Sequence, residues 1–322
     1  MNLLVTGGAG FIGAHLVDLL SSRGDKIFIL DDLSNVNSHT VERLRKLKNV
    51  TLTEGSVLDI SLVGNLMDKV DSCFHLAAAL GVENVHNDPI KLLESNILGS
   101  KIVLTAADSS SVRTIYASSS EIYGKNPEMP LKEDSNRVLG SPQIARWSYS
   151  EAKALGELHA FELHKLNKFP VTIARFFNSV GLGQSSNYGM VLPRFVKAAL
   201  NKQPLIVYGD GTQSRTFCAV TDVVQALVLL IDSKESIGQA FNIGSTIEYS
   251  ITELAQKVIK LTNSSSEIMY KKHSEVFGDN FEEPQRRVPD ISKIKKAVGW
   301  QPRKSLDEVI LEIADYLRAN EI

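Results

Sequence analysis

The chain alternates between two hydrophobic patterns. Short, nearly continuous apolar runs suit strands buried on both faces of a parallel sheet. They fall at Asn2–Thr6, 26–30, 50–53, 72–76, 114–117 and Val171–Phe176. Between them, apolar residues recur at helical spacing: Ile12, Leu16, Leu19 and Leu20 after Phe11, then 40–48, 60–70, Pro89–Ser109 and a helix opened by Tyr149 that runs to Leu166. Strand and helix in strict turn predict an α/β fold with a doubly wound parallel sheet, the Rossmann arrangement.

Beyond residue 178 the rhythm changes. The stretch 181–189 is polar and glycine-rich. A helix is expected at 193–201, a strand at 204–208, a turn at Gly209-Asp210-Gly211, a helix at 222–231 and a strand at Ala240–Ile243. Further helices are expected at 251–261 and 306–317, with a charged loop at 282–287. The chain therefore divides into a dinucleotide-type domain, 1–178, rejoined by about 221–245, and a smaller mixed α/β C-terminal substrate domain, 179–220 with 246–322.

A length of 322 residues gives both units an ample core. A formal net charge of −2 argues against a nucleic-acid surface. No apolar run reaches the ~18 residues of a membrane span. The N-terminus reads as a working strand and not as a signal peptide. Cys73 and Cys218 stand apart with no metal-ligand spacing, so no metal is expected, and both read as reduced thiols of a cytoplasmic protein.

The candidate chemistry begins at Gly7-Gly8-Ala9-Gly10-Phe11-Ile12-Gly13, between the first strand and the first helix. A pyrophosphate needs backbone N–H groups at a helix N-terminus, where the dipole favours negative charge. A side chain at Gly7 would block the turn, one at Gly10 would hold the phosphates away, and one at Gly13 would push the helix off the strand. Asp31, followed by Asp32, closes the second strand at the spacing of a carboxylate that takes the adenosine ribose hydroxyls. That charge would repel a 2′-phosphate, which favours NAD over NADP. Ser56 and Val57 end the third strand, where an adenine ring can rest. Leu76, Ala77 and Ala78 end the fourth with small residues that admit a cofactor.

Ser118-Ser119-Ser120-Glu121 follows the fifth strand, at the sheet edge where open α/β folds bind ligands. Tyr149 and Lys153 are one helical turn apart on a shared face. A free tyrosine ionises near ~10, so a phenolate base at neutral pH needs about 4 kcal/mol of stabilisation. A neighbouring ammonium and a positive nicotinamide ring both favour the phenolate.

These residues resemble the extended short-chain dehydrogenase/reductases of the nucleotide-sugar epimerase/dehydratase family. The resemblance spans nearly the whole chain: Thr6 to Gly13, His75-Leu-Ala-Ala78, Ser119 to Gly124, Tyr149-Ser-Glu-Ala-Lys153, Phe177-Asn-Ser-Val-Gly181, Gly209 to Phe217 and Arg287-Val-Pro-Asp290. It implies NAD as cofactor and a catalytic set of Ser119, Tyr149 and Lys153. Tyr149 would take the proton of the sugar C4 hydroxyl, Ser119 would bond the same oxygen, and Lys153 would hold the nicotinamide ribose and depress the Tyr149 pKa. Asn35, Asn96 and Phe176 match positions near the cofactor. Asn178 and Arg215 would contact the nucleotide diphosphate, with Arg287 as a further phosphate clamp and Ser120 and Tyr208 near the substrate. It also implies a homodimer paired through Pro89–Ser109 and 150–166.

The departures bear on the reaction. Members acting on uronic acids often carry Pro-Arg where this chain has Leu182-Gly183, although Arg215 or Arg146 can stand in. The 4,6-dehydratases usually carry Asp-Glu after the catalytic hydroxyl, and here the Asp position is Ser120. Glu121 and Arg146-Trp147-Ser148-Tyr149 resemble the nucleotide-sugar decarboxylases, and Glu121 joins the catalytic candidates; a buried acid that fixes the loop is its other reading. The first expectation is a UDP-hexose 4-epimerase of the UDP-glucose/UDP-galactose type. The alternative is a UDP-glucuronate 4-epimerase or decarboxylase. A 4,6-dehydratase and a non-catalytic NAD-sensing protein stand behind these, the last disfavoured by the intact Tyr149 and Lys153.

Overall fold

In a computed structural model, which describes residues 1–79, 89–185, 190–277 and 282–320, the apolar runs form one parallel sheet. In chain order the elements begin with β1 (Asn2–Thr6), α1 (Phe11–Ser22), β2 (Lys26–Asp31), α2 (Ser38–Arg45), β3 (Val50–Glu54), α3 (Ile60–Met67), β4 (Ser72–His75), α4 (Pro89–Ser109), β5 (Arg113–Ser119), α5 (Ser148–Asn167) and β6 (Val171–Phe176). There follow β7 (Ser179–Val180), α6 (Val191–Leu200), β8 (Leu205–Tyr208), β9 (Ser214–Thr216), β10 (Cys218–Ala219), α7 (Val220–Asp232), β11 (Ala240–Ile243), β12 (Glu248–Ser250), α8 (Ile251–Thr262), β13 (Ile268–Lys271), α9 (Ser274–Phe277), α10 (Ser292–Val298) and α11 (Leu306–Asn320). Of the polar stretch 181–189, residues 186–189 lie outside the described residues.

The seven-stranded order is β11-β6-β5-β4-β1-β2-β3. The chain winds outward from β1 in one direction through β2 and β3, and in the other through β4, β5, β6 and β11. The reversal lies between β1 and β4, and such a switch point opens a crevice at the carboxyl ends of the strands. One face of the sheet is covered by α1 and α7, with Leu16, Leu20, Val223 and Leu227 buried against Val5, Ile29 and Phe241. The other is covered by α3, α4 and α5, through Val63, Leu104 and Ala160. A separate core joins α6, α8 and α11 around Phe195, Leu254 and Ile310.

Several bounds differ from the sequence expectation. β5 runs through Ser119, so Ser118 and Ser119 stand on the strand, paired with Arg175 and Phe176, and only Ser120 onward forms the turn. α2 starts earlier than expected because the Asn37 side chain caps it by accepting from His39 N at 2.9 Å. β11 pairs with β6, and Ile294 and Trp300, from the stretch expected in the second domain, pack in the core beneath α1 and α7. Cys73 and Cys218 are buried and free. Among the described residues no helix is long and apolar enough to cross a membrane.

Candidate active site

The switch point brings the glycine turn beside the end of β4. Gly7 has φ +69°, and a Cβ there would lie 2.7 Å from Ala77 N. A Cβ at Gly13 would lie 2.1 Å from Gly7 O, so α1 approaches the turn at backbone distance. At Gly10 the nearest atom to a Cβ is Gly7 O at 3.3 Å, which leaves the N-terminus of α1 open for an anion. Asp31 is buried, and its carboxylate accepts from Ala9 N at 2.9 Å and Leu33 N at 3.0 Å. Burial outweighs those bonds and lifts its carboxyl above the ordinary value. Remaining lone pairs can still accept from hydroxyls. These features fit the adenosine and pyrophosphate of a dinucleotide.

The other cofactor candidates divide. Phe11 and Ile12 open α1, and Asp32, exposed, accepts from Ser34 N and Oγ. Leu76 N and Ala77 N donate to Thr6 O and Oγ1, which splices the end of β4 onto β1. Ala78 follows at the same edge. Ser56 Oγ is engaged by Leu58 N, and Val57 packs on α4 at Gly99. Asn35 lines a cavity of about 370 Å³ with Leu182, Gln184 and Tyr316. Asn96 does something else: its amide makes two 3.0 Å bonds to the backbone of Ala79, so its visible role is to hold the strand-end loop.

α5 lies across β5 and the turn after it. A bidentate pair anchors it: Arg175 Nε and Nη2 donate to Glu157 at 2.9 and 2.7 Å, both residues being buried. The helix sits close because Gly156 faces Tyr116, whose Oη would be 2.0 Å from a Cβ there. This places Ser119, Tyr149 and Lys153 around one strand end. Ser119 Oγ accepts from Glu121 N at 3.2 Å, Ser120 is buried in the turn, and Phe176 pairs with Ser119 across the sheet.

Lys153 behaves differently from expectation. Its Nζ donates to Ala117 O at 2.8 Å and lies 5.8 Å from the centre of the Tyr149 ring. Burial pushes its ammonium down to about 8. The Tyr149 phenol is raised, first by burial and then by Tyr116 and the negative Glu121. The groups of the chain alone therefore favour the phenol, and the shared helix face does not by itself make a phenolate.

Beside this set lies a knot of charge that spacing did not reveal. Glu121 is gripped by Arg146, Nη2 to Oε1 at 2.9 Å and Nη1 to Oε2 at 2.8 Å, and by Arg287 Nη1 at 2.7 Å. Burial alone would raise the Glu121 carboxyl, but the two guanidiniums outweigh it and hold it far below the carboxylate range. Glu121 is thereby kept ionised, as the reading of an acid that fixes the loop after the strand requires. Arg287 is 3% exposed, and its Nε and Nη2 are buried with no hydrogen-bond partner among the described residues. Arg215 Nη2 donates to Glu283 at 2.6 Å, and Glu283 also meets His273 at 3.0 Å. Burial and the neighbouring Arg287 push Arg215 down to about 10. Among the described residues, Arg146, Arg215 and Arg287 against Glu121 and Glu283 leave one positive charge in excess, which favours an anion. Asn178 Nδ2 donates to Thr216 O, and Tyr208 lies under the Arg194 guanidinium at 4.5 Å.

Residues 4–313 match the family model described as GDP-mannose 4,6 dehydratase. The chain belongs to that family. Among its curated relatives, the UDP-N-acetyl-alpha-D-glucosaminuronate decarboxylase of Bacillus cytotoxicus is 39% identical over 319 residues, 99% of this chain and 98% of the relative. UDP-glucuronic acid decarboxylase 1 of Arabidopsis thaliana is 33% identical, over 96% of this chain and 68% of the relative. Among solved structures, the UDP-glucose 4-epimerase of Thermotoga maritima superposes with a TM-score of 0.89 at 28% identity, covering 99% of each chain. The UDP-glucuronic acid 4-epimerase of Bacillus cereus, solved with NAD and a fluorinated UDP-glucuronic acid, gives 0.89 at 26%, covering 99% of each. Beside Glu121 this chain has Ser120, and so no second carboxyl group at that position.

Proposed function

We propose that the chain is an NAD-dependent decarboxylase of a UDP-linked uronic acid. This takes the place of the hexose 4-epimerase expected first. The observation that carries it is Arg287, whose buried Nε and Nη2 lack partners among the described residues while Glu121 fixes its Nη1. A substrate carboxylate can accept both donors and balance the excess positive charge. The neutral C6 alcohol of a hexose balances no charge. The decarboxylase names of the 39% and 33% identical relatives support the same reading. Ser120 counts against water elimination, which needs a proton donor and an acceptor beside the sugar.

NAD, when bound, supplies a hydride acceptor for the sugar C4 and a positive ring of the right sign to lower the Tyr149 pKa. Gly7, Gly10, Gly13 and Asp31 would hold its adenosine half, and Lys153 its nicotinamide ribose. Tyr149 Oη takes the C4 hydroxyl proton, while Ser119 Oγ bonds the same oxygen. The C6 carboxylate is then β to a C4 carbonyl. The C5–C6 bond breaks, carbon dioxide leaves, and the electron pair enters a C4–C5 enolate whose oxygen faces Tyr149 and Ser119. With a proton from water at C5, the Tyr149 proton given back to O4 and the hydride that a bound cofactor would restore to C4, the product would be a UDP-pentose. Glu121 serves by setting Arg146 and Arg287. Arg215 and Asn178 are read as diphosphate contacts.

The test is incubation with UDP-glucuronate and with UDP-N-acetylglucosaminuronate in the presence of NAD, with products resolved by NMR. Carbon dioxide with a UDP-pentose is expected from at least one. A C4 epimer that keeps its carboxylate would reject the proposal. A homodimer belongs to the same reading, since Leu98 on α4 and Leu155 and Leu158 on α5 leave an exposed apolar face.

A further inference from the structure

The loop that carries Arg287 also carries Glu282, and the two reach the same catalytic corner from different sides. Glu282 Oε2 accepts from Trp147 Nε1 at 2.9 Å and from Lys125 Nζ at 2.8 Å. Trp147 is 2% exposed, with Lys125 Nζ 5.7 Å and Arg146 Cζ 5.6 Å from the ring centre. It ends the 3-10 turn Ala145–Trp147, and α5 begins at the next residue. Along the chain Trp147 therefore stands between Arg146, which grips Glu121, and Tyr149, two residues further on. Gly140 completes the joint. A Cβ there would lie 2.1 Å from Glu282 Oε2 and 2.4 Å from Trp147 Nε1, so the carboxylate reaches the indole only past a glycine. The bond from Lys125 holds the Glu282 carboxyl below its ordinary value, which keeps it an acceptor at neutral pH.

We propose that Glu282 is a positioning residue for Tyr149. It locks the Trp147 indole, and through it the first turn of α5 and the grip of Arg146 on Glu121. The loop that presents Arg287 to the substrate thus also sets the acid–base residue. The proposal rests on the reading of Tyr149 as the proton acceptor. Glu282 touches neither the substrate nor the cofactor in this account, so its loss should lower kcat and leave nucleotide affinity alone.

The experiment compares Glu282→Ala, Glu282→Gln and Tyr149→Phe for turnover of UDP-glucuronate or UDP-N-acetylglucosaminuronate and for UDP affinity. The same variants, labelled with 5-fluorotryptophan, are followed by fluorine NMR. The Trp147 line is identified by its loss in Trp147→Phe. Glu282→Ala should lower kcat about tenfold or more, since small misplacements of an acid–base group cost that much or more. Its UDP Kd should be unchanged and its Trp147 line displaced. Glu282→Gln keeps an oxygen for the indole N–H and should recover most of kcat and the wild-type line position. Wild-type kcat in Glu282→Ala, with Tyr149→Phe inactive, would overturn the positioning role alone. An equal loss of kcat and UDP affinity would show a merely structural loop and overturn it too. Full turnover in Tyr149→Phe would sink the Tyr149 assignment and this proposal with it.

Discussion

Replacing Arg287 with Met removes the guanidinium and keeps an unbranched apolar stem. At 3% exposure, solvent does not substitute for the lost group. Two effects on stability oppose each other. Glu121 loses the 2.7 Å bond from Nη1, a charged hydrogen bond of about 1.5–3 kcal/mol, but keeps both contacts to Arg146. The fold no longer buries Nε and Nη2 unpaired, which returns about 1–3 kcal/mol. The melting temperature should therefore hardly move. Catalysis has no such offset. Two charged bonds to a substrate carboxylate at about 1.5–3 kcal/mol each amount to roughly a hundredfold to ten-thousandfold in kcat/KM. The assay is the rate of carbon dioxide release from the accepted UDP-uronate, beside the Kd of UDP. Arg287→Met should lose at least about a hundredfold in kcat/KM, with UDP affinity within about threefold of wild type. Wild-type kcat/KM would refute the carboxylate contact. A matching loss of UDP affinity would instead restore the phosphate clamp expected from sequence.

Two further outcomes follow from the same structure. Burial, with the Lys153 charge, holds His75 neutral down to about 3, against an ordinary 6.5. Below 6.5 the unfolded chain binds a proton that the folded chain refuses, so stability falls as pH drops from 6.5 towards 3. Urea denaturation of His75→Asn should show a flatter acid limb, and an unchanged limb would contradict the assignment. The face formed by Leu98, Leu155 and Leu158 should pair two copies of the chain. Sedimentation at micromolar concentration should give a dimer, and Leu158→Glu should weaken it; a monomer throughout would reject the pairing.

The legible part of the molecule was the part encoded locally. Gly7, Gly10, Gly13 and Asp31 stand within one strand–turn–helix–strand unit, so spacing alone was enough to group them. Strands buried on both faces announced themselves as apolar runs, and α5 followed from its period. The two-stranded pairs β7–β10, β8–β13 and β9–β12 were largely missed, because strands of two to four residues are defined by partners distant in sequence. α10 was missed because Ile294 is its one buried residue, too little for a period. The site divides in the same way. Tyr149 and Lys153 were visible one turn apart, but the bond of Lys153 to Ala117 O depends on a rotamer and on β5 beneath it. Glu121, Arg146 and Arg287 meet only in the folded chain, as do Glu282 and Trp147. The charged loop 282–287 was visible as composition, and each of its partners lies on another element.

The central claim is that C4 oxidation here serves to expel C6. Its most direct measurement uses a UDP-uronate labelled with carbon-13 at C6, incubated with the protein and NAD and followed by NMR. The label should leave the sugar and appear as carbon dioxide and bicarbonate, and Tyr149→Phe should prevent this. Label that stays in a sugar carboxylate, with C4 inverted or untouched, would contradict the account.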